Sequence, residues 1–158
     1  MAAKKKLSVN IELVEKGQMP TKGSDGAAGY DLCARLDDGI TILPGQTKFI
    51  PLGIKTEIPE GYVGLMFARS GMAGKKGIAP ANKVGVIDSD YRGEWLMAAY
   101  NHGHDRQLIM NGDKVAQAVF VKAEDVVFTQ VDSVDETDRG EGGFGSTDKK
   151  EEENKKEE

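Results

Sequence analysis

Glycine and polar residues cluster at five points in this sequence, and each cluster has the side chains to hold phosphate, water or a proton. The first is AlaAlaGlyTyrAspLeu at Ala27–Leu32, with one carboxylate at Asp31. The second is Arg69-Ser70-Gly71. Arg beside a helix N-terminus makes an anion site, because free backbone N–H groups point at the ligand; the same residues also serve as a plain helix cap. The third runs from Asn82 through GlyValIleAspSerAspTyrArgGly, Gly85–Gly93. Asp88 and Asp90 stand two apart there, so both carboxylates can share one face. That suits a general base or a metal, and it equally suits an ordinary hairpin turn. The fourth is GlyAspLysValAlaGln at Gly112–Gln117. Gln117 interrupts an apolar run, and a buried amide must bond either neighbouring backbone or a ligand.

The fifth stretch, ArgGlyGluGlyGlyPheGlySerThr at Arg139–Thr147, carries four glycines and one aromatic ring. Such a segment forms neither strand nor helix. Its backbone can approach phosphate closely, with Arg139 and the hydroxyls of Ser146 and Thr147 as donors. Phe144 in this arm reads as a lid that closes by stacking on a ring; a plain linker has no use for Phe or for the flanking Arg. His102-Gly103-His104 has no Cys and no acidic cluster near it beyond Asp105, and reads as a solvent-exposed hairpin loop. Cys33 reads as a packed thiol and Trp95 as a core or subunit-contact residue.

The elements that must position these residues are strands. Leu7, Val9, Ile11 and Leu13 alternate with polar residues, the mark of a half-buried strand. Ile50, Leu52, Ile54 and Ile58 alternate likewise. Further strands are expected at Tyr62–Phe67, Val84–Ile87, Glu94–Tyr100, Gln107–Met110, Val115–Val121 and Val126–Val131, separated by Gly, Pro and Asn turns. One short helix is expected from near Ser70 to before Gly77, with Ser70 as its N-cap. The expected fold class is all-β, an antiparallel sandwich or barrel.

Composition narrows the function. With 21 Lys+Arg against 26 Asp+Glu the net charge is −5, which argues against nucleic acid or an acidic membrane as partner. No apolar run nears the ~18 residues of a membrane span. One cysteine excludes a disulfide framework and a Cys-rich zinc site. The expectation is a soluble cytoplasmic protein with a barrel domain over 1–136, a Gly-rich arm over 137–147 and a charged tail over 148–158. That tail, DKKEEENKKEE, has no apolar side chain and is expected to be disordered.

In this order the five stretches resemble the five motifs of the trimeric deoxyuridine triphosphatase family, from about Val9 to Thr147. The resemblance implies a jelly-roll-like antiparallel β-barrel with a flexible C-terminal arm. It implies Mg²⁺-dependent hydrolysis of dUTP to dUMP and pyrophosphate, with three active sites between the subunits of a homotrimer. That activity limits uracil incorporation into DNA and supplies dUMP for thymidylate synthesis. Asp88 would orient and deprotonate the water that attacks the α-phosphorus. The hairpin from Asn82 through Val86 and Ile87 to Asp88 would hold uracil, and Tyr91 would lie under the deoxyribose and exclude a 2′-hydroxyl. Arg69, Ser70, Gly71 and Gln117 would hold the phosphates from a second subunit. Arg139, Phe144, Gly145, Ser146 and Thr147 would close over the nucleotide from the third. Asp31 would reach Mg²⁺ through water, the ion being held mainly by the triphosphate.

Ala68, Met72 and Lys114 depart from the family pattern, which often has Pro, Leu and Arg there; none is expected to touch a proposed ligand. Two rivals share the barrel. A dCTP deaminase relative needs a glutamate base beside the pyrimidine, and Glu94 is the only candidate. A non-catalytic nucleotide-binding or interaction protein would have no need of Asp88, Arg69 and the whole arm together.

Overall fold

Alternating apolar residues make ladders only where a second strand is available, and here every ladder is antiparallel. The computed structural model describes residues 6–144. Its elements run β1 (Asn10–Leu13), β2 (Thr21–Lys22), β3 (Tyr30–Cys33), β4 (Ile40–Ile42), β5 (Thr47–Pro51), β6 (Ile54–Glu57) and β7 (Tyr62–Ala68). Then follow α1 (Ser70–Lys76), β8 (Ile78–Pro80), β9 (Gly85–Ile87), β10 (Leu96–Asn101), β11 (Gln107–Ile109) and β12 (Lys114–Lys122). The class is all-β with one short helix, as expected. The strands pair as β1-β6, as β5-β10-β8, as β4-β11 and as a five-stranded sheet β2-β3-β12-β7-β9. These four sheets do not close into one hydrogen-bonded barrel.

The five-stranded sheet sets one row that matters for function. Thr21 opposes Asp31, Asp31 opposes Gln117, and Gln117 opposes Phe67. Residues from four strands therefore sit side by side. Beneath the sheets, Trp95, Ile50, Met97, Ile109 and Val115 are fully shut from solvent. The Trp95 indole N–H donates to Thr56 Oγ1 at 3.1 Å inside this core, so its polar edge is satisfied. Trp95 is thus a core residue. Cys33 is free and half-buried, and burial pushes its thiol pKa up, as befits a packed rather than a reactive thiol.

A second polar link sits at the turn between β5 and β6. Arg35 Nε and Nη2 donate to the two oxygens of Glu94 at 2.8 and 2.9 Å, and the Gly53 amide adds a bond to Glu94 Oε1 at 2.9 Å. The Arg35 hydrogen bond holds the Glu94 carboxyl below its usual range. A depressed carboxyl stabilises the fold above its unfolded value of 4.5 and loses that contribution as pH falls through the folded value.

Four expectations are corrected. The Ile50–Ile58 alternation is two strands, because Gly53 turns the chain at φ 69° between them. Val126–Val131 forms no strand: among the described residues of Val126–Glu158, a compact unit separate from Met1–Asp125, there is no strand to pair with. Ser70 is the first helical residue and Arg69 the N-cap, with no side-chain cap bond. The short strands β2, β4 and β8 carried too little alternation to be anticipated. The helix does end where expected, at Gly77 in the left-handed conformation. No helix among the described residues is long and apolar enough to cross a membrane.

Two outcomes check this core. Thr56→Val keeps the shape but strands the buried indole N–H, and should cost about 1–3 kcal/mol in urea unfolding; a cost near zero would remove that bond from the core. Between about pH 7 and about pH 3 the native protein should lose more stability than Glu94→Gln does. Equal losses would show that the Arg35 pair contributes nothing.

Candidate active site

The register of β12 assembles the first, second and fourth stretches. Asp31 on β3 is almost buried, and its carboxylate bridges two cations: Arg69 Nε at 2.8 Å from Oδ1 and Lys114 Nζ at 3.0 Å from Oδ2. Arg69 needs this anchor because it leaves the end of β7 in extended conformation, at φ −79° and ψ 144°, with its side chain a third exposed. Lys114, set aside as a harmless departure from the family pattern, therefore bonds a candidate site residue. Its distance from Asp31 in sequence hid the contact.

Of its two alternatives, Gln117 takes a backbone partner. Its Nε2 donates to the Ala68 carbonyl at 2.9 Å, which fixes the amide plane. Its Oε1 faces Gly29, where a Cβ would stand only 2.6 Å away. Asp31, Phe67, Arg69, Ser70 and Gln117 line one cleft of about 430 Å³ together with the loop before β3. Ser70 and Gly71, in the first turn of α1, are exposed beside it.

The third stretch lies elsewhere on the sheet. Asn82 sits in the turn between β8 and β9, where Lys83 takes a positive φ of 67° and the Val84 amide donates back to Asn82 at 2.8 Å. Among the described residues β9 is the sheet edge, paired only with β7, so one side of the backbone at Val86 and Ile87 has no strand beside it there. Val86 is exposed, and Ile87 packs on the core. Asp88 follows directly and is exposed; among the described residues no ion pair or side-chain hydrogen bond ties its carboxylate.

The turn after Asp88 is tightly specified. The Tyr91 amide donates to Asp88 O at 3.2 Å and the Tyr91 hydroxyl to Glu94 O at 3.0 Å. Arg92 Nη1 donates to Ser89 O at 2.7 Å and Tyr91 O at 3.1 Å. The ring lies so close over Gly93 that a Cβ there would collide with the hydroxyl and stand 2.5 Å from Cζ. Only glycine fits under it. Glu94, weighed as a deaminase base, has its carboxylate occupied by Arg35 and the Gly53 amide.

Within one chain these two groups do not meet. Ile87 opposes Gly64 near the start of β7, whereas Arg69 follows its far end, so roughly 20 Å of strand separates Asp88 from Arg69. In the unit Val126–Glu158, Arg139 closes its own turn, donating to Gly142 O at 2.9 Å. Gly140 and Phe144 take positive φ values of 51° and 46°, and Phe144 is exposed. Gly145, Ser146, Thr147 and the tail 148–158 lie outside the described residues. Among the described residues no three His, Cys, Asp or Glu side chains come together as a metal set, and His102 instead packs edge-on to Tyr100 at 4.4 Å.

Comparison with known proteins identifies the family. Residues 15–148 match the family model for dUTPase. A deoxyuridine 5′-triphosphate nucleotidohydrolase of Desulfitobacterium hafniense is 49% identical over 145 residues, 89% of this chain and 96% of that protein. One from Escherichia coli is 41% identical over the same shares. Among solved structures, a mutant dUTPase of Staphylococcus bacteriophage 80alpha with dUpNHpp is similar at TM-score 0.77 and 25% identity, over 89% of this chain and 98% of its own. A mutant dUTPase from phage phi11 of S. aureus, in which a structural Mg(II) ion is coordinated, is similar at TM-score 0.72 and 25% identity, over 80% and 97%. The dUTPases have a jelly-roll β fold, and the all-β order of elements here is theirs. With a match over most of its length and identities of this size, the chain belongs to the dUTPase family.

Proposed function

We propose that the protein hydrolyses dUTP to dUMP and pyrophosphate, by attack of water on the α-phosphorus. The observation that carries this reading, beside family membership, is the state of three carboxylates. Asp31 is paired with Arg69 and Lys114, and Glu94 with Arg35; Asp88 is exposed and unpaired among the described residues. A carboxylate that must accept a hydrogen bond from water and take its proton has to be free to do so. Asp88 is the general base in this reading. The edge backbone of Val86 and Ile87 and the Asn82 amide hold uracil, and Tyr91 supports the deoxyribose.

Charge builds on the non-bridging phosphate oxygens as water attacks, and fixed cations and donors answer it. Arg69, Ser70, Gly71 and Gln117 take that role, with Arg69 aimed by Asp31. The arm supplies Arg139, Phe144, Gly145, Ser146 and Thr147 as a closing lid over 137–147, beyond a barrel domain that we take to 136. The roughly 20 Å between Asp88 and Arg69 supports sites completed by another copy of the chain. So does the apolar outer face of the β5-β10-β8 sheet, where Phe49 and Leu96 are 67% and 46% exposed around Ala98. A homotrimer in the cytoplasm is the assembly and location proposed; a single free thiol suits a reducing compartment.

Mg²⁺ enters this reading with the substrate. Both Asp31 oxygens already bond cationic side chains. An ion that prefers oxygen and keeps its waters suits a triphosphate instead. Nothing here favours a deaminase, since the Glu94 carboxylate is occupied.

Pyrophosphate release from dUTP, dTTP, dCTP and UTP with Mg²⁺ tests the function. Release from dUTP alone, with dUMP as product, is expected; dCTP turnover would move the answer to the deaminase relative. Asp88→Asn should cut kcat by about 100-fold or more while nucleotide still binds, and retained turnover would remove Asp88 as base. Asp31→Asn should raise KM for dUTP about tenfold, the scale of one lost charged hydrogen bond, with the Mg²⁺ concentration dependence unchanged. A shifted Mg²⁺ requirement would return Asp31 to the metal.

A further inference from the structure

The Arg35–Glu94 pair lies outside every proposed contact with substrate, yet one hydrogen bond leads from it to the sugar side of the site. Glu94 is pinned at its side chain by Arg35 and by the Gly53 amide, at 2.8 to 2.9 Å. Its backbone is pinned from the next residue, since the Trp95 amide donates to Ile54 O at 2.9 Å and Leu52 donates to Trp95 O at 3.0 Å. Arg35 is itself fixed, its amide donating to Pro51 O at 2.8 Å. The carbonyl of this immobilised residue accepts the Tyr91 hydroxyl. No other side-chain hydrogen bond of Tyr91 is present among the described residues, so the ring takes its place from Glu94.

We propose that Arg35 and Glu94 are positioning residues for Tyr91, and that through its ring they set discrimination between deoxyribose and ribose nucleotides. The inference rests on the dUTP reading above. Discrimination by contact against one added hydroxyl needs a surface that cannot yield, and a ring held at both its backbone and its hydroxyl supplies one. Releasing Glu94 frees the ring to retreat, so the ribose nucleotide gains most.

The test uses the full chain with Arg35→Met, Glu94→Gln and Tyr91→Phe. The ratio of kcat/KM for dUTP over UTP, measured with Mg²⁺, should fall about tenfold in each. Arg35→Met combined with Tyr91→Phe should be no worse than the poorer single variant, because all act on one ring. In the unliganded protein, amide exchange over residues 89–93 should quicken about tenfold in Arg35→Met. Lower thermal stability with an unchanged ratio would make the pair structural only and overturn the proposal. Unchanged exchange would overturn it as well, whatever the ratio does. A wild-type protein silent on dUTP would overturn the function and the sugar gate built on it, whereas an active wild type whose ratio survives in the variants overturns the gate alone. If Arg35→Met does not fold, Glu94→Gln, which keeps size and shape, carries both measurements.

Discussion

The register of β12 between β3 and β7 is the constraint on which the phosphate side of the molecule depends. β12 is the longest strand, and it carries Gln117 into the same row as Asp31 and Phe67. Side chains alternate across a strand, so a slip of one residue would turn Gln117 to the opposite face and bring Ala116 or Ala118 into its place. Asp31 would then lose Lys114, and Arg69 would lose part of its support. A register shift between Lys114 and Ala116 is already built into this pairing, and it lets Lys114 reach back to Asp31 while Gln117 keeps its row.

Carboxylates in this protein divide by what they face. Asp31 and Glu94 each meet a guanidinium within 2.8 Å, and each serves to hold something else still. Buried charges of this kind are costly unless paired, so their partners are as fixed as they are. Asp88 stands outside such a pairing at the end of an edge strand. For Asp31 the division follows from position in the sheet: the neighbouring strand β12 brings it Lys114, whereas the end of an edge strand opens to solvent and to whatever docks there.

Much of this was legible in the chain. The apolar runs of Tyr62–Phe67 and of Val115–Val121 foretold β7 and β12, which pair with each other in the site's sheet, and the glycine-marked stretches foretold the residues of the cleft. What could not be read was pairing between distant segments. Arg35 and Glu94 lie 59 residues apart, and nothing local in either marks the other. Lys114 looked like a harmless exchange because its contact with Asp31 exists only once β3 and β12 are aligned. Val126–Val131 shows the opposite failure: it is rich in β-branched and aromatic residues, but such residues favour a strand without supplying one, and a strand also needs a partner edge. Ser70 was misplaced by one residue because Arg69, an unusual cap, is the single residue between β7 and α1.

The close fit of Tyr91 over Gly93 has a consequence for how this turn can change over generations. Any side chain at 93 meets the phenol ring, with Cε2 at 2.9 Å as well as the hydroxyl and Cζ. Replacement of the glycine is therefore penalised while the ring keeps this place and eased where the ring swings aside. The two positions are coupled in mutational history: a change at either one alters what the other can accept.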